Sequence, residues 1–196
     1  MQKKELACAS TPVFDTYALA VCALLTALSV VLARLLTVIP SEVSRFSLEA
    51  VPILLAGLLF GALPGGAVGF SADLIGCLFS PYGYNPIFCL PPILYGVWAG
   101  IIRRYVWRKP TLWRVAVAVF PAAIAGSVLW QSMALALVYG GEAKMPFFLT
   151  RLAARSVQFA VTACIDTVLV WLLARRDALA PALHRMKTKG REEHDA

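Results

Sequence analysis

The stretch "GALPGGAVGFSADLIGC", residues 61–77, is almost entirely apolar or glycine and carries a single charge, Asp73. Gly65, Gly69, Asp73 and Gly76 follow one another at steps of four, four and three, so a helix places them on one face. Small residues let helices approach closely in lipid, and this face is therefore expected to turn toward other helices. A carboxylate carried inward at that depth typically marks a transport pathway, a relay or a ligand site. The alternative is an ion pair with a buried arginine that locks the helices together.

The composition of the whole chain is that of a membrane protein. Of its 196 residues, 60% are hydrophobic and only 15% are charged, whereas a soluble domain carries about 25% charged residues. Glycines, prolines and charged residues divide the chain into apolar stretches that are candidate membrane spans. The predicted spans are 15–39, 47–61, 64–80, 86–103, 112–139 and 147–175. The first span has no A-x-A-like cleavage site, and we interpret it as retained rather than as a signal peptide.

This pattern predicts an all-α integral membrane protein in which six transmembrane helices enclose an outward-facing ligand pocket. The second, third and fourth helices are predicted to be short or broken, with Pro91 and Pro92 interrupting the fourth. Short helices beside kinked ones leave room for a cavity.

The basic residues orient the predicted spans. With the N-terminus, the loop at 104–111 and the C-terminal tail on one side, that side holds 13 of the 18 lysines and arginines. The positive-inside rule then places both termini in the cytoplasm. We expect a cytoplasmic N-terminal segment at 1–14, a membrane domain at 15–176 and a basic cytoplasmic tail at 177–196. This bias accounts for the net charge of +7, and no aromatic–basic interleaving indicates nucleic-acid binding.

The sequence contains no recognisable catalytic or metal-binding constellation. The five cysteines are scattered without a C-x-x-C pair, and both histidines, His184 and His194, lie in the polar tail. These spacings indicate neither a disulfide framework nor a zinc site. No P-loop and no Ser–His–Asp set is present. We therefore predict a binder, a passive carrier or one subunit of a larger assembly, with no cofactor, no metal and no enzymatic activity of its own.

A polar stripe runs along the last predicted helix, where Arg151, Arg155, Gln158, Thr162 and Asp166 recur at steps of four, three, four and four. An arginine fork binds a carboxylate through two parallel hydrogen bonds, so the two arginines suit an anionic ligand. Snorkelling of the arginines toward lipid headgroups is the alternative. The last member of the stripe is expected to be structural.

Further candidates lie on the fifth predicted helix and in the loops. Gln131 can both donate and accept hydrogen bonds, and Trp130 can either stack on an aromatic ligand or pack within the protein. Arg45 can contact a ligand or pair with Glu49, four residues away. Two tyrosines of the "SPYGYNP" loop are candidates for a lid. The predicted ligand site comprises Asp73, Tyr82, Tyr84, Gln131, Arg155, Arg151, Arg45 and Gln158.

The first predicted helix carries a smooth small-residue face made of Ala20, Ala23 and Ala27. Faces of this kind mediate contact between helices in membranes. The spacing alone leaves open whether the partner is another helix of this chain or a separate protein.

Two stretches, "RFSLEAVPILLAGLLFGALPGGAVGFSADLIGCLFSPYGYNP" at 45–86 and "LVYG" at 137–140, resemble the substrate-binding S components of energy-coupling factor (ECF) vitamin transporters. The resemblance covers about residues 20–170 and is strongest to the folate-specific branch. Its most specific positions are Pro52, Gly57, Leu59 to Gly61, Gly69, Asp73 to Gly76, and Pro81 to Tyr84.

The resemblance implies a vitamin pocket closed by loops, a prokaryotic cell membrane, and assembly with a T component and two ATPase subunits. It further implies that the alanine face docks the T component, that Asp73 suits the pterin edge of folate, and that the basic residues suit the glutamate tail. Gln131 and Ser132 replace an Asn-Thr pair expected in this branch, which leaves another vitamin or a related aromatic compound open. A stand-alone secondary carrier and a structural membrane protein are the remaining alternatives.

Overall fold

The computed structural model describes residues 16–35, 48–78, 86–108, 111–139 and 144–175. Every regular element in these ranges is helical. The α-helices are α1 (Thr16–Leu35), α2 (Ala50–Phe60), α3 (Ala62–Leu78), α4 (Leu90–Arg108), α5 (Leu112–Ala122), α6 (Gln131–Tyr139) and α7 (Lys144–Arg175). A 3₁₀ turn (Pro86–Cys89) leads into α4, and a π segment (Ala123–Trp130) joins α5 to α6.

The described part of each predicted span is almost entirely helical, which confirms the all-α prediction, whereas the number of membrane crossings stays a prediction. Four helical stretches are long and apolar enough to cross a membrane, and α2 and α3 are shorter apolar helices. The fourth helix ends at Arg108 rather than at 103 as predicted. The predicted N-terminal segment at 1–14 and the basic tail at 177–196 lie outside the described residues.

Helix α2 is the central element of the bundle. All but the last of its 11 residues are buried, and it packs against α1, α3, α4 and α7. At 1.5 Å per residue it is about 16 Å long, roughly half the thickness of the hydrocarbon core. A helix that is apolar on every side suits such a position, because no face of it has to meet water.

Glycines bring α2, α3 and α4 into backbone contact. A Cβ on Gly65 would lie 2.6 Å from both the Gly57 Cα and the Gly96 carbonyl oxygen. A Cβ on Gly69 would collide with the carbonyl of Pro92. Only glycine permits this separation, and so the prediction that the glycine face of α3 turns toward other helices is confirmed for Gly65 and Gly69.

The turn between α2 and α3 consists of one residue, Gly61. Its φ of +107° lies in a region that glycine adopts without strain. Its N–H closes α2 by donating to the Gly57 carbonyl oxygen at 2.9 Å. The Leu58 carbonyl oxygen accepts instead from the Trp107 indole nitrogen at 2.8 Å, so a side chain of α4 compensates for the early end of α2.

The prediction that Pro91 and Pro92 interrupt the fourth helix is wrong. Both lie in the first turn of α4, directly after the 3₁₀ turn. Proline is tolerated there because the first N–H groups of a helix have no partner within it. The proline that does disturb a helix is Pro121 in α5. It cannot donate to the Val117 carbonyl oxygen, which accepts instead from the Trp98 indole nitrogen at 3.1 Å.

The π segment follows directly after Pro121. Its backbone is wound so that the N–H of Gln131 donates to the carbonyl of Gly126, five residues earlier. π-helical turns are uncommon and occur frequently at functional sites. Gly126 faces the start of α4, where a Cβ would lie 3.2 Å from the Pro91 Cα. The π segment therefore fits its surroundings closely, and it sets the direction in which Trp130 and Gln131 project.

Candidate functional site

Polar side chains converge at the N-terminus of α2. The Ser29 hydroxyl donates to the Glu49 carbonyl oxygen at 2.8 Å, and the Tyr95 and Ser127 hydroxyls share a hydrogen bond of 3.1 Å. The carboxyl groups of Glu49 and Asp166 lie within electrostatic range of the Tyr95 hydroxyl. Helices α1, α2, α4 and α7 and the π segment thus contribute to one polar cluster, which we call the mid-bundle cluster and define as these five residues.

The shortness of α2 determines what lies beside this cluster. Ser29 of α1 is level with Glu49, and α1 continues for more than a further turn, to Leu35. Helix α7, with 32 residues, is also far longer than α2. None of the described elements continues α2 beyond Leu48. Among the described residues, the mid-bundle cluster therefore marks the end of the central helix.

Two buried polar atoms in this half of the protein have no hydrogen-bond partner among the described residues. They are the Ser132 Oγ and the Asp166 Oδ1. Ser132 is fully buried, and Asp166 is 2% exposed. Leaving a buried polar atom unpaired costs about 1–3 kcal/mol, and more for a charged group. Such atoms are expected where a ligand or a water molecule completes the site.

The polar stripe of α7 becomes more buried along its length. Arg151 and Arg155 are half-buried, whereas Gln158, Thr162 and Asp166 are buried. Thr162 donates its hydroxyl proton to the Gln158 carbonyl oxygen at 3.1 Å, within the helix. The arginines thus stand at the more accessible end of the stripe and the carboxyl group at the enclosed end.

Arg155 also contacts an aromatic ring. The centre of its guanidinium group lies 5.8 Å from the centroid of the Phe159 ring, one turn along α7. A cation over a ring face is held in place without losing its in-plane N–H donors. This contact favours a fixed orientation of the guanidinium group.

Asp73 lies on another side of the bundle. It is half-buried and accepts a weak hydrogen bond from the Cys77 thiol, with 3.9 Å between Sγ and Oδ2. It follows Gly69 by one turn on the face that contacts Pro92 of α4, and α3 also packs on the 3₁₀ turn. Helix α7 packs instead on α5, the π segment, α6 and α2. Asp73 and the α7 stripe therefore have different neighbours.

Trp130 links the end of the π segment to the start of the fourth span through a hydrogen bond. Its indole nitrogen donates to the Ile87 carbonyl oxygen of the 3₁₀ turn at 2.8 Å. Of the two roles left open for Trp130, this bond supports packing within the protein. Gln131 follows and is half-buried. Three other predicted site residues, Tyr82, Tyr84 and Arg45, lie outside the described residues.

The family described as "ECF transporter, substrate-specific component" matches residues 18–174. The chain belongs to this family. The resemblance noted from the sequence is thereby confirmed, and this ECF substrate-specific component is a prokaryotic membrane protein of a transporter family rather than a catalytic one.

Relatives of this ECF substrate-specific component include a protein named folate transporter FolT from Clostridium novyi (strain NT). The two sequences are 27% identical over 144 residues, which is 73% of this chain and 81% of the relative. A crystal structure of FolT bound with folic acid superposes with a TM-score of 0.68 and 26% identity. That match covers 83% of this chain and 95% of the FolT chain.

The small-residue face of the ECF component points away from its own bundle. Ala20, Ala23 and Ala27 are all exposed, whereas Cys22 and Leu25 on the other side of α1 are buried. This face is not used to pack α1 onto the described helices of the chain. Its role as a docking surface stays a prediction.

Sequence reasoning did not single out the Tyr95–Ser127 pair or Ser29. A signal was present for Ser127, which is the only hydroxyl-bearing residue between Val115 and Leu129. A lone hydroxyl in such an apolar run has to find a partner within the bundle. The π segment itself had no signal, because Pro121 predicts a kink but not the kind of helix that follows it.

Proposed function

We propose that this ECF component binds folate in an outward-facing pocket and delivers it for ATP-driven import. The observation that carries the proposal is the likeness in both sequence and structure to FolT, which has been crystallised with folic acid. The unpaired polar atoms on α6 and α7 support it independently, since they provide hydrogen-bonding capacity that a polar ligand would use.

In this proposal the chain crosses the membrane six times with both termini in the cytoplasm. The basic residues then lie mainly inside, as the positive-inside rule requires. The N-terminus of α2 then faces outward at mid-membrane depth, and the proposed pocket lies on the outer side of the mid-bundle cluster. Irregular backbone that covers such a pocket is tolerated because protein, not lipid, surrounds it.

The chemistry of folate matches the charged side chains predicted for the site. Its pterin edge presents adjacent N–H donors, which pair with a carboxylate, and its glutamate tail presents carboxylates, which pair with arginine. We assign the tail to Arg151 and Arg155, at the accessible end of the α7 stripe. Asp73 remains the predicted partner of the pterin edge, and Asp166 is the second candidate because its Oδ1 is unpaired. The remaining predicted contacts are Arg45, Tyr82, Tyr84, Gln131 and Gln158.

ATP hydrolysis is assigned to partner subunits. We propose that the component assembles with a T component and two ATPase subunits, and that Ala20, Ala23 and Ala27 form the surface that docks the T component. Their exposure supports this role, because close helix packing in lipid requires an accessible small-residue face.

Ligand binding by the purified chain tests the proposal. We expect isothermal titration calorimetry to detect folate binding at one site per chain, with no comparable heat from riboflavin or thiamine. Arg155→Gln is expected to weaken folate binding by about 10- to 100-fold through loss of a charge-assisted pair. Arg114→Gln, on a helix end that contacts Tyr105, is the matched control and should bind as the wild type does. Equal binding of an unrelated vitamin, or no folate binding, would overturn the assignment.

A second experiment tests the docking surface separately. Ala23→Leu should leave folate binding intact but prevent copurification with the T component and the ATPases, because the larger side chain separates the helices. Ala160→Leu, at an exposed alanine of α7, serves as the control and should assemble normally. Normal assembly of both variants would show that another surface is used.

A further inference from the structure

A second cleft lies at the opposite end of α2 from the mid-bundle cluster, beside the turn from α2 to α3. Its volume is about 330 Å³, and its lining includes Gly61, Leu63, Ile101, Arg103 and Arg104. None of the described residues that line it is acidic. It is separated from the candidate folate site by the length of α2, about 16 Å.

The positive charge of this cleft is positioned by the turn. The Arg103 Nη1 lies 3.2 Å from the place that a Cβ would take on Gly61. The bare backbone of Gly61 therefore lets the guanidinium group lie directly over the turn. The C-terminus of α2 and the N-terminus of α3 meet at this turn, so their opposite partial charges offset each other and the positive charge of the cleft comes from the arginine side chains. Arg104 adds a second full charge on the same side.

The rim of the cleft is apolar and exposed. Leu63 and Ile101 are each 62% exposed, on α3 and α4 respectively. Exposed leucine and isoleucine on a membrane helix indicate contact with acyl chains, and arginine near a helix end indicates the headgroup layer. The cleft thus joins a cationic floor to a lipid-facing rim.

We infer that this cleft binds the phosphate headgroup of an anionic phospholipid, with the acyl chains lying along Leu63 and Ile101. Basic pockets between membrane helices bind the headgroups of anionic lipids in this way. An acidic protein segment would use the arginines but would leave the two exposed apolar side chains unexplained. Placement of this lipid in the cytoplasmic leaflet rests on the topology proposed above, whereas the lipid site itself does not.

Native mass spectrometry of the purified full-length chain tests the inference. The chain in detergent is titrated with phosphatidylglycerol or phosphatidylcholine of matched acyl chains. We expect one phosphatidylglycerol to be retained per chain, and at least about tenfold weaker retention of phosphatidylcholine. The double variant Arg103→Gln/Arg104→Gln should reduce phosphatidylglycerol retention to the phosphatidylcholine level.

Arg108→Gln provides the matched control, because this exposed arginine ends the same helix without lining the cleft. It should retain phosphatidylglycerol as the wild type does. Should the double variant fail to fold, titration of the wild type with NaCl replaces it, since retention through phosphate contacts falls as ionic strength rises. Equal retention of the two lipids, undiminished retention by the double variant, or retention indifferent to salt would overturn the inference. A double variant that keeps the lipid but loses its partner subunits would assign the cleft to a protein contact instead.

Folate binding is measured on the same samples, so that the folate site and the lipid site can each be refuted without the other. We expect the double variant to bind folate normally, because the cleft and the mid-bundle cluster lie at opposite ends of α2. Lipid retention without folate binding in the wild type would refute the proposed function and leave this inference standing. The reverse result would refute only the lipid site.

Discussion

The α2–α3–α4 unit and the unit formed by α5, the π segment, α6 and α7 are both apolar helical assemblies, but they are built differently. In the first, glycines bring backbones into direct contact and nearly every buried side chain is aliphatic. In the second, a proline and a π segment break the regular helix, and Ser132 and Asp166 keep buried polar atoms unpaired.

This difference indicates that the first unit stabilises the fold and that the second unit recognises the ligand. Backbone contacts through glycine leave no space for a ligand and fix the three helices relative to one another. Unpaired polar atoms and irregular backbone destabilise the protein without ligand, and they are found together where a site is kept ready for one. We therefore expect substitutions of the contact glycines in the first unit to affect folding, and substitutions of the unpaired polar residues in the second to affect binding.

The largest effect is expected for Gly65→Ala in the first unit. The new methyl group would meet the Gly57 Cα and the Gly96 carbonyl, which cannot move independently of their helices. Overpacking against backbone should cost at least about 3 kcal/mol. The measurement is the thermal unfolding of the purified chain in detergent.

Gly66→Ala is the matched control for that substitution. Its methyl group would meet the Val97 Cγ2 at 2.9 Å, and this end of a side chain can shift. A loss of stability similar to that of Gly65→Ala would contradict the view that backbone contact holds the unit together.

A smaller effect of opposite sign is expected for Asp166→Asn in the second unit. Replacing the buried carboxyl group with an amide reduces the cost of an unpaired charged atom. The ligand-free chain should become more stable by about 1–2 kcal/mol, while folate affinity should fall. Asp73→Asn should not stabilise the chain, since Asp73 accepts a hydrogen bond from Cys77. Lower stability of Asp166→Asn, with unchanged affinity, would assign this carboxyl group a structural role.

The hydrogen bond from the Trp98 indole nitrogen to the Val117 carbonyl oxygen joins the two units and gives a third prediction. Trp98→Phe removes the donor to the Val117 carbonyl oxygen and should cost about 1 kcal/mol. In a Pro121→Ala background the helix regains its own donor to that oxygen, so the same substitution should cost less. A double-mutant cycle from chemical unfolding gives the coupling, and additive effects would show that Trp98 does not compensate for the proline.

The smallest effect is expected where the units meet at the α4–α5 connection. Arg114 stacks on the Tyr105 ring, with 4.8 Å to the centroid, and donates to the Tyr105 carbonyl oxygen at 3.3 Å. Both contacts are exposed, and Arg114→Gln should change the free energy of unfolding by no more than about 1 kcal/mol. A larger loss would mean that this connection, rather than the bundle interior, holds the units together.

The first unit could be predicted from sequence far more fully than the second. The spacing of Gly65 and Gly69 contains the information that α3 packs closely, because only glycine allows that approach. The error over Pro91 and Pro92 arose because a proline pair fits the first turn of a helix as well as it fits a break. The sequence alone does not distinguish these positions until the start of α4 is known.

The candidate site was less predictable because it depends on how distant segments align. The steps along α7 predicted one polar stripe, and its burial from Gln158 to Asp166 follows that pattern. The alignment of Glu49 with Ser29, and of Tyr95 with Ser127, is set by where α2 begins and by the π segment. Neither is encoded in local periodicity.

The single-residue turn at Gly61 has a consequence for how the protein enters the bilayer. Alone, α2 is too short to cross the hydrocarbon, and α3 has just 17 residues. The contact between Gly57 and Gly65 lets the two helices pair closely beside the turn. During synthesis they are therefore expected to enter the bilayer together as a hairpin, and under the topology proposed above its cationic tip stays on the cytoplasmic side.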